Sequence, residues 1–334
     1  MIAAVALFGY AALLLTAGAS GLARARWADR APRLAVAAWL ALTGSAVTSV
    51  VLGGMALMVP TVRVSTSLAA LLADCVMDVR ASYAHPGGAA MAGAGAVLGL
   101  AVIARVGWCA AVTLARAALA RRRHRRVLAL AGRHDPRLGA VLVDCDEAAA
   151  WCLPGTGRQV VLTTAAAAAL DEAQLAAVLA HERAHQRGRH HLLVALAGSL
   201  AAAFPRVRAF RQGYAQVARL VELLADDAAA AASPRLKVAE ALLALAAPAP
   251  AAALGAGGSA TGARVRRLIA APAPIGRTRT AAGTLTVAAL AAFPLVLLAG
   301  PAAVSGMSCC PHAVTMVAYA APATVHCASV VSRC

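Results

Sequence analysis

Four long apolar stretches divide the chain. They cover residues 2–22, 34–58, 89–114 and 281–304. A transmembrane helix needs about 20 consecutive, mostly apolar residues, and each stretch is long enough to meet that requirement. The pattern therefore predicts an α-helical integral membrane protein with four spans.

The pattern changes between the third and the fourth apolar stretch. Short, partly β-branched runs at 140–143, 150–153 and 159–163 are separated by turn-forming residues, which predicts a small sheet of about three strands. Asp171 then precedes an apolar helix, and Gln174 follows three positions later, as in a capping box. We expect a mostly helical domain with a small sheet in this part of the chain.

Composition and charge support a membrane protein. Of the 334 residues, 61% are hydrophobic and only 13% are charged, whereas a soluble domain has about 25% charged residues. This composition excludes a disordered chain and a single soluble domain. The net charge is +17, so the position of the basic residues decides what that charge means.

The arginines are distributed unevenly around the four spans. The first loop, residues 24–33, contains four Arg and one Asp, and six more Arg lie between residues 116 and 126. The positive-inside rule then predicts a multi-pass protein of the plasma membrane with both termini outside and residues 116–280 in the cytoplasm. The charge is expected to contact anionic lipid headgroups of the bilayer. No aromatic interleaving or nucleic-acid-binding motif accompanies it, so no direct nucleic-acid partner is expected.

The predicted domain organisation follows from these spans. Three spans with short loops occupy residues 1–115, the cytoplasmic domain 116–280, the fourth span 281–304, and a short extracellular tail 305–334. Within the domain, residues 246–262 are rich in Ala, Pro and Gly and are expected to form a flexible loop.

Cysteine positions agree with this orientation. Cys309, Cys310, Cys327 and Cys334 all lie in the predicted extracellular tail, where disulfides persist. Their pairing cannot be deduced from the sequence. Cys145 and Cys152 lie in the predicted cytoplasmic domain and are expected to be free thiols.

The predicted helix after Asp171 contains the pattern H-E-x-x-H. Its residues are His181, Glu182 and His185. Residues at i and i+4 project from one face of a helix, so both imidazoles can reach one ion. Glu182 can then take a proton from a water molecule at that ion. The alternative is two surface histidines on a charged helical turn, a reading that the preceding strand and helix cap disfavour.

A third metal ligand is expected from a second helix. Glu222 and Asp226 are spaced i and i+4 in a helical run 37 positions after His185. Glu222 can complete a three-ligand zinc site, and Asp226 can accept a hydrogen bond from a ligating His. An exposed acidic face is the alternative, but the surrounding helix is largely apolar.

These motifs resemble a known class of membrane metallopeptidase. The segments WCLPG at 151–155, VVLT at 160–163 and LAAVLAHERAH at 175–185 are similar to those of BlaR/MecR-type enzymes, metallopeptidase family fifty-six. The likeness to HtpX-like and CAAX prenyl proteases is more distant. The matching core covers residues 139–228, and the four-span layout fits the first family better.

The resemblance implies a gluzincin-like cytoplasmic domain that binds one Zn²⁺ per chain. It implies that His181, His185 and Glu222 are the metal ligands, that Glu182 is the catalytic base, and that Asp226 is the supporting acid. It also implies that a sheet edge aligns the substrate chain by strand addition.

The sequence departs from these families in two ways. About 30 residues follow the fourth span, which leaves no room for a penicillin-binding sensor domain. Residues 264–268 match the R-[IV]-x-x-L stretch of the HtpX-like relatives, but no His-Pro motif precedes it. The group that stabilises the oxyanion is therefore open, with Tyr214, His190 and Arg264 as candidates. Because three better ligands are already present, His190 and His191 are expected to be polar helix residues and not metal ligands.

The sequence thus predicts a zinc metalloendopeptidase, with two classes of protein substrate. One is a cytoplasmic winged-helix transcriptional repressor, so that the enzyme acts in signal transduction. The other is misfolded membrane protein, as in HtpX-like quality control. A non-catalytic membrane receptor or scaffold is the alternative from a different functional class.

Overall fold

The computed structural model describes residues 2–58, 87–155, 159–246, 256–273 and 275–307. Within these ranges, four helices are long and apolar enough to cross a membrane. They are α1 (Ile2–Ala23), α2 (Pro32–Met58), α3 (Gly88–Ala131) and α10 (Arg277–Met307). The prediction of four long apolar helices is confirmed. The cysteines of the predicted tail lie outside the described residues.

Helix α2 is the centre of the apolar helices and packs against α1, α3 and α10. Small residues allow the close approach to α3, because a Cβ atom on Gly54 would lie 2.7 Å from the carbonyl oxygen of Gly95. Hydroxyl groups join the other two helices. Ser45 Oγ on α2 and Tyr10 Oη on α1 both donate to the carbonyl oxygen of Leu290 on α10, at 2.8 and 3.0 Å.

Helix α3 extends well beyond the length of a membrane span. Its 44 residues correspond to about 66 Å at about 1.5 Å per residue, roughly twice the thickness of a hydrocarbon core of about 30 Å. The predicted domain boundary at residue 115 therefore falls within one continuous helix. Arg105 lies in its apolar part, where its Nε donates to the carbonyl oxygen of Ala203.

A four-stranded sheet follows α3. The strands are β1 (Gly132–Asp135), β2 (Ala140–Val143), β3 (Ala150–Leu153) and β4 (Gln159–Thr163). Their order is β1-β2-β4-β3; the central pair β2–β4 is parallel, and both outer pairs are antiparallel. The three predicted strands are confirmed, and β1 is an additional strand. β3 forms one edge of the sheet.

The helices of the domain follow the sheet. They are α4 (Thr164–Ala169), α5 (Glu172–Arg187), α6 (His190–Ala203), α7 (Arg208–Ala232), α8 (Arg235–Ala246) and α9 (Ala256–Ala270). The predicted capping box begins α5, since Gln174 N donates to Asp171 Oδ1 at 2.8 Å and Asp171 N donates to Gln174 Oε1 at 3.0 Å. Residues 256–262, expected in a flexible loop, form the first part of α9.

One hydrophobic core joins the domain to the apolar helices. Trp39 and Leu42 of α2 pack in the same buried cluster as Val217 and Leu220 of α7. Helix α6 packs against both α7 and α3. The helical hairpin α6–α7 therefore lies beside the apolar helices, while α5 connects it to the sheet.

Candidate metal centre and active site

Helices α5 and α7 pack against each other and bring three potential ligands together. His181 and His185 come from α5, and Glu222 comes from α7. The two histidine Nε2 atoms are 3.2 Å apart. Glu222 Oε2 lies 3.6 Å from His181 Nε2, and Glu222 Oε1 lies 3.5 Å from His185 Nε2. The residues that the sequence selected by spacing therefore meet at one point.

These separations fit a zinc ion. Zn²⁺ bound tetrahedrally at about 2.0–2.1 Å from each nitrogen or oxygen keeps its ligand atoms about 3.3 Å apart. The three observed separations of 3.2, 3.5 and 3.6 Å are close to that value. Two imidazoles and one carboxylate are also a ligand set found in catalytic zinc sites, which keep a fourth position open.

Asp226 lies against the far side of the His181 ring. It is fully buried, and its Oδ1 is 3.1 Å from His181 Nδ1, although the angle of this contact is outside that of a regular hydrogen bond. Burial disfavours the charged form of His181, but the contacts with Asp226 and Glu222 outweigh it and raise the pKa of His181 to about 9. A carboxylate at Nδ1 favours a proton there and leaves the Nε2 lone pair directed at the ligand cluster.

His190 lies against the far side of the His185 ring, as Asp226 does for His181. Its Nδ1 lies 3.0 Å from His185 Nδ1, and the two rings meet edge to face with centroids 4.9 Å apart. Helix α5 ends at Arg187 with Gly188 as its C-cap, and Arg189 adopts a left-handed conformation with φ 48°. This tight turn returns the chain so that His190, the first residue of α6, is buried against the metal-ligand helix.

Arg264 of α9 connects the two acidic residues of α7. Its Nε and Nη2 donate to the two carboxylate oxygens of Asp226 at 2.8 and 2.6 Å, and its Nη1 lies 3.1 Å from Glu222 Oε2. The guanidinium and His181 together hold the pKa of Asp226 below its usual value despite burial, which acts to raise it. Arg264 therefore orients the third ligand and its neighbour.

Glu182 is largely buried and faces the sheet edge. Burial is the main reason that the pKa of its carboxyl is raised. The Cys152 side chain of β3 lies beside this carboxyl, and burial followed by the charge of Glu182 raises the pKa of the Cys152 thiol to about 12. A carboxyl with a raised pKa is suited to accepting and returning a proton near neutral pH.

The model of peptidase family M48 matches residues 114–282, just over half of the 334 residues. The chain belongs to peptidase family M48. No curated protein and no solved structure matches it. The match supports a metallopeptidase, whereas the more specific resemblance to the BlaR/MecR type is not confirmed.

A cavity of about 420 Å³ adjoins the candidate site of this M48 member. Its walls include Cys152 and Pro154 at the sheet edge, His185 and Glu222 of the ligand cluster, and Tyr214. Thr113 and Ala117 of α3 line it as well. Of the three oxyanion candidates, Tyr214 and His190 line this cavity, and Tyr214 is 42% exposed whereas His190 is buried.

Sequence reasoning missed the specific roles of three side chains in this M48 site. Arg264 pairs with Asp226 and Glu222, His190 contacts His185, and Cys152 contacts Glu182. Arg264 begins the R-[IV]-x-x-L stretch, but no spacing rule links Arg264 to Asp226, 38 positions earlier. Cys152 and Cys145 are both free thiols, as expected.

Proposed function

We propose that this M48 member is a zinc-dependent endopeptidase. The observation that supports the proposal best is the cluster of His181 Nε2, His185 Nε2 and the Glu222 carboxylate. The two nitrogens are 3.2 Å apart, and Glu222 Oε2 and Oε1 lie 3.6 and 3.5 Å from His181 Nε2 and His185 Nε2, separations close to those of a zinc coordination shell. The ligands lie beside a buried carboxyl, Glu182, with a raised pKa. Together they form the donor set and the base that peptide hydrolysis requires.

Each residue of the site has a separate role in the proposed hydrolysis. A bound zinc ion would supply Lewis acidity, which lowers the pKa of water and polarises a carbonyl group. Glu182 accepts the proton of the attacking water and later donates it to the leaving amine. Asp226 and His190 hold the ligating imidazoles in orientation, and Arg264 does the same for Glu222. Tyr214 is our choice for the donor to the oxyanion.

The substrate chain is proposed to bind along β3. This strand pairs with β4 on one side, and no other strand of the described residues pairs with its other side. An extended peptide can therefore add to that edge through main-chain hydrogen bonds. Because Cys152 of β3 contacts Glu182, a peptide bound there passes next to the base.

The location of the site guides the choice of substrate. The cavity is lined by Thr113 and Ala117 of α3, the helix that continues from an apolar, span-length segment. We propose a multi-pass protein of the plasma membrane with both termini outside and this cavity at the cytoplasmic surface. Polypeptides near the membrane, including misfolded membrane proteins, are then its most accessible substrates. Cleavage of a soluble winged-helix repressor is the second candidate, on the resemblance alone.

Zinc content is the first test. We expect about one zinc per chain in detergent-purified wild-type protein, a sharp loss in Glu222→Ala, and full retention in Glu172→Ala. The last variant removes an exposed carboxylate from the first turn of α5 and serves as a matched control. Wild-type protein without zinc would reject the proposal and favour the non-catalytic scaffold.

Peptide hydrolysis is the second test. Casein, an extended polypeptide, is incubated with the detergent-solubilised enzyme, and new termini are identified by mass spectrometry. Wild type and Glu172→Ala should cleave it, whereas Glu182→Ala should retain zinc and lose cleavage. Cleavage that survives in Glu182→Ala would show that another group is the base.

A further inference from the structure

A second cavity lies between the apolar helices, away from the metal site. Its volume is about 590 Å³, within the range of about 300–1,000 Å³ that is typical of ligand sites. Its walls are mostly aliphatic and come from α1, α2 and α10; they include Leu14, Leu42 and Leu290. Trp27 and two arginines, Arg30 and Arg279, line it as well.

Another cavity, of about 670 Å³, adjoins the first one and is lined by both aliphatic and charged residues. The two share Arg30, Leu34 and Ile275 as lining residues. Arg33 and Arg187 also line the adjoining cavity. The pair is therefore apolar at one end, between the helices, and cationic at the other, next to the metallopeptidase domain.

Within the part of the chain that the structure describes, the arginines of this pair of cavities lack acidic partners. Among the described residues, no carboxylate is within ion-pair distance of Arg30, Arg33, Arg187 or Arg279. Asp227 also lines the adjoining cavity, but both of its carboxylate oxygens are bound by Arg267, at 2.7 and 2.9 Å. The cationic end is therefore complementary to a negatively charged group from outside the chain.

We propose that these cavities form a binding site for one anionic phospholipid of the membrane. Its phosphate group contacts Arg30, Arg33 and Arg187, and an acyl chain enters the apolar cavity beside Leu42. Basic pockets between transmembrane helices at the cytoplasmic surface recognise anionic headgroups, and Trp is enriched at that interface, where Trp27 lies.

The dimensions agree with an acyl chain. Arg279 and Leu290 both line the apolar cavity and are eleven positions apart on α10, which is about 16 Å along a helix at about 1.5 Å per residue. A small soluble anion would leave the aliphatic walls uncovered, and an uncharged lipid would leave the guanidinium groups unpaired. An anionic phospholipid satisfies both ends.

The charge of the site is tested with a double substitution and its matched control. Delipidated full-length protein in detergent is mixed with phosphatidylglycerol or with phosphatidylcholine of the same acyl chains, and bound lipid is counted by native mass spectrometry. Wild type should bind one phosphatidylglycerol at least about tenfold more tightly than phosphatidylcholine. R30Q/R33Q should lose this preference. R24Q/R26Q removes the same charge from the same loop at residues outside both cavities and should keep it.

The apolar end is tested by filling it. Thr286 lines the cavity and Thr284 does not, although both are exposed on α10 and both donate to the carbonyl oxygen four residues earlier at 2.9 Å. T286F should weaken phosphatidylglycerol binding, and T284F should not. Equal binding of the two lipids by wild type, or equal effects of each pair of variants, would overturn the proposal.

One further measurement separates the lipid from a free anion. Inorganic phosphate and glycerol phosphate are added in excess to the phosphatidylglycerol complex. The lipid should remain bound, because its chain contributes to affinity; displacement by either soluble anion would assign the cationic end to a free phosphate instead. Zinc content and casein cleavage are independent of this result, so the lipid site and the peptidase can fail separately.

Discussion

The ring of His190 contacts His185 on the side opposite the other metal ligands. His185 Nε2 faces His181, whereas His185 Nδ1 lies 3.0 Å from His190 Nδ1. A hydrogen bond at Nδ1 fixes both the tautomer and the orientation of a ligating imidazole. Asp226 Oδ1 lies 3.1 Å from the corresponding Nδ1 atom of His181, so each histidine of the candidate site has a polar side chain on its far side.

We expect His190→Ala to lower zinc affinity by about 10- to 100-fold, the usual effect of removing such a partner. His190→Asn can still form one hydrogen bond and should recover part of the loss. His191→Ala, a change at the next residue, should have little effect. Zinc affinity is measured by competition with a chromophoric chelator, and the thermal midpoint of the metal-free protein shows whether each variant folds. Equal affinities of His190→Ala and wild type would contradict the positioning role.

The centre of the site could be predicted from residue spacing because helical periodicity is local. His181 and His185 share a helix face, as do Glu222 and Asp226, and the two pairs need only meet across one helix contact. The contacts of Arg264 and His190 depend on tertiary packing and on a left-handed residue at Arg189. No periodicity in the sequence specifies either of these.

At the scale of elements, α9 is attached to α7 by two parallel ion pairs. Arg264 binds Asp226 and Arg267 binds Asp227, each through two nitrogen–oxygen contacts of 2.6–2.9 Å. The two pairs differ in burial, because Asp226 is fully buried whereas the Asp227 side chain is 36% exposed. Helix α9 therefore stabilises the helix that provides the third ligand.

We expect Arg264→Ala to be strongly destabilising, by about 3–5 kcal/mol, because it leaves the buried Asp226 carboxylate without its partner. Arg267→Ala should cost clearly less, since water can reach Asp227. Thermal unfolding in detergent with and without zinc measures both. Only Arg264→Ala should also reduce zinc affinity, and a larger loss for Arg267→Ala would refute this ranking of the two pairs.

The elements that were predicted correctly have a strong local pattern. The strands β2, β3 and β4 are β-branched or apolar runs between turns, and the capping box marks the beginning of α5. Strand β1 has the sequence Gly-Arg-His-Asp, which lacks the alternation of apolar and polar residues that indicates a strand. It lies at the edge of the sheet, where a strand can remain polar on both faces. Helix α9 begins in an Ala/Gly-rich segment, and its pairing with α7 stabilises it there.

For the molecule as a whole, α2 packs both with the apolar helices and with the metallopeptidase domain. It is the central helix of the apolar group, and its Trp39 and Leu42 also pack in one cluster with α7. The candidate metal site therefore includes a residue of α7, a helix that packs directly against a candidate membrane span. This arrangement is consistent with a metallopeptidase domain that functions at the membrane surface.

The proposed orientation can be checked with the protein's own cysteines. Cys145 is exposed in the domain, and Cys334 lies in the tail that we expect outside. In variants that keep only one of these cysteines, a membrane-impermeant maleimide should label Cys334 in intact cells and Cys145 only after permeabilisation. The reverse pattern would invert the orientation derived from the arginines.

The short edge strand β3 sets a limit on what such an enzyme can cut. Its four residues offer about 13 Å of backbone at about 3.3 Å per residue, which is enough for a segment of roughly the same number of residues. That segment must leave its own helix or sheet before it can pair. The enzyme would then select its substrates by local unfolding more than by side-chain identity. The lifetime of a substrate would depend on how often that segment unfolds.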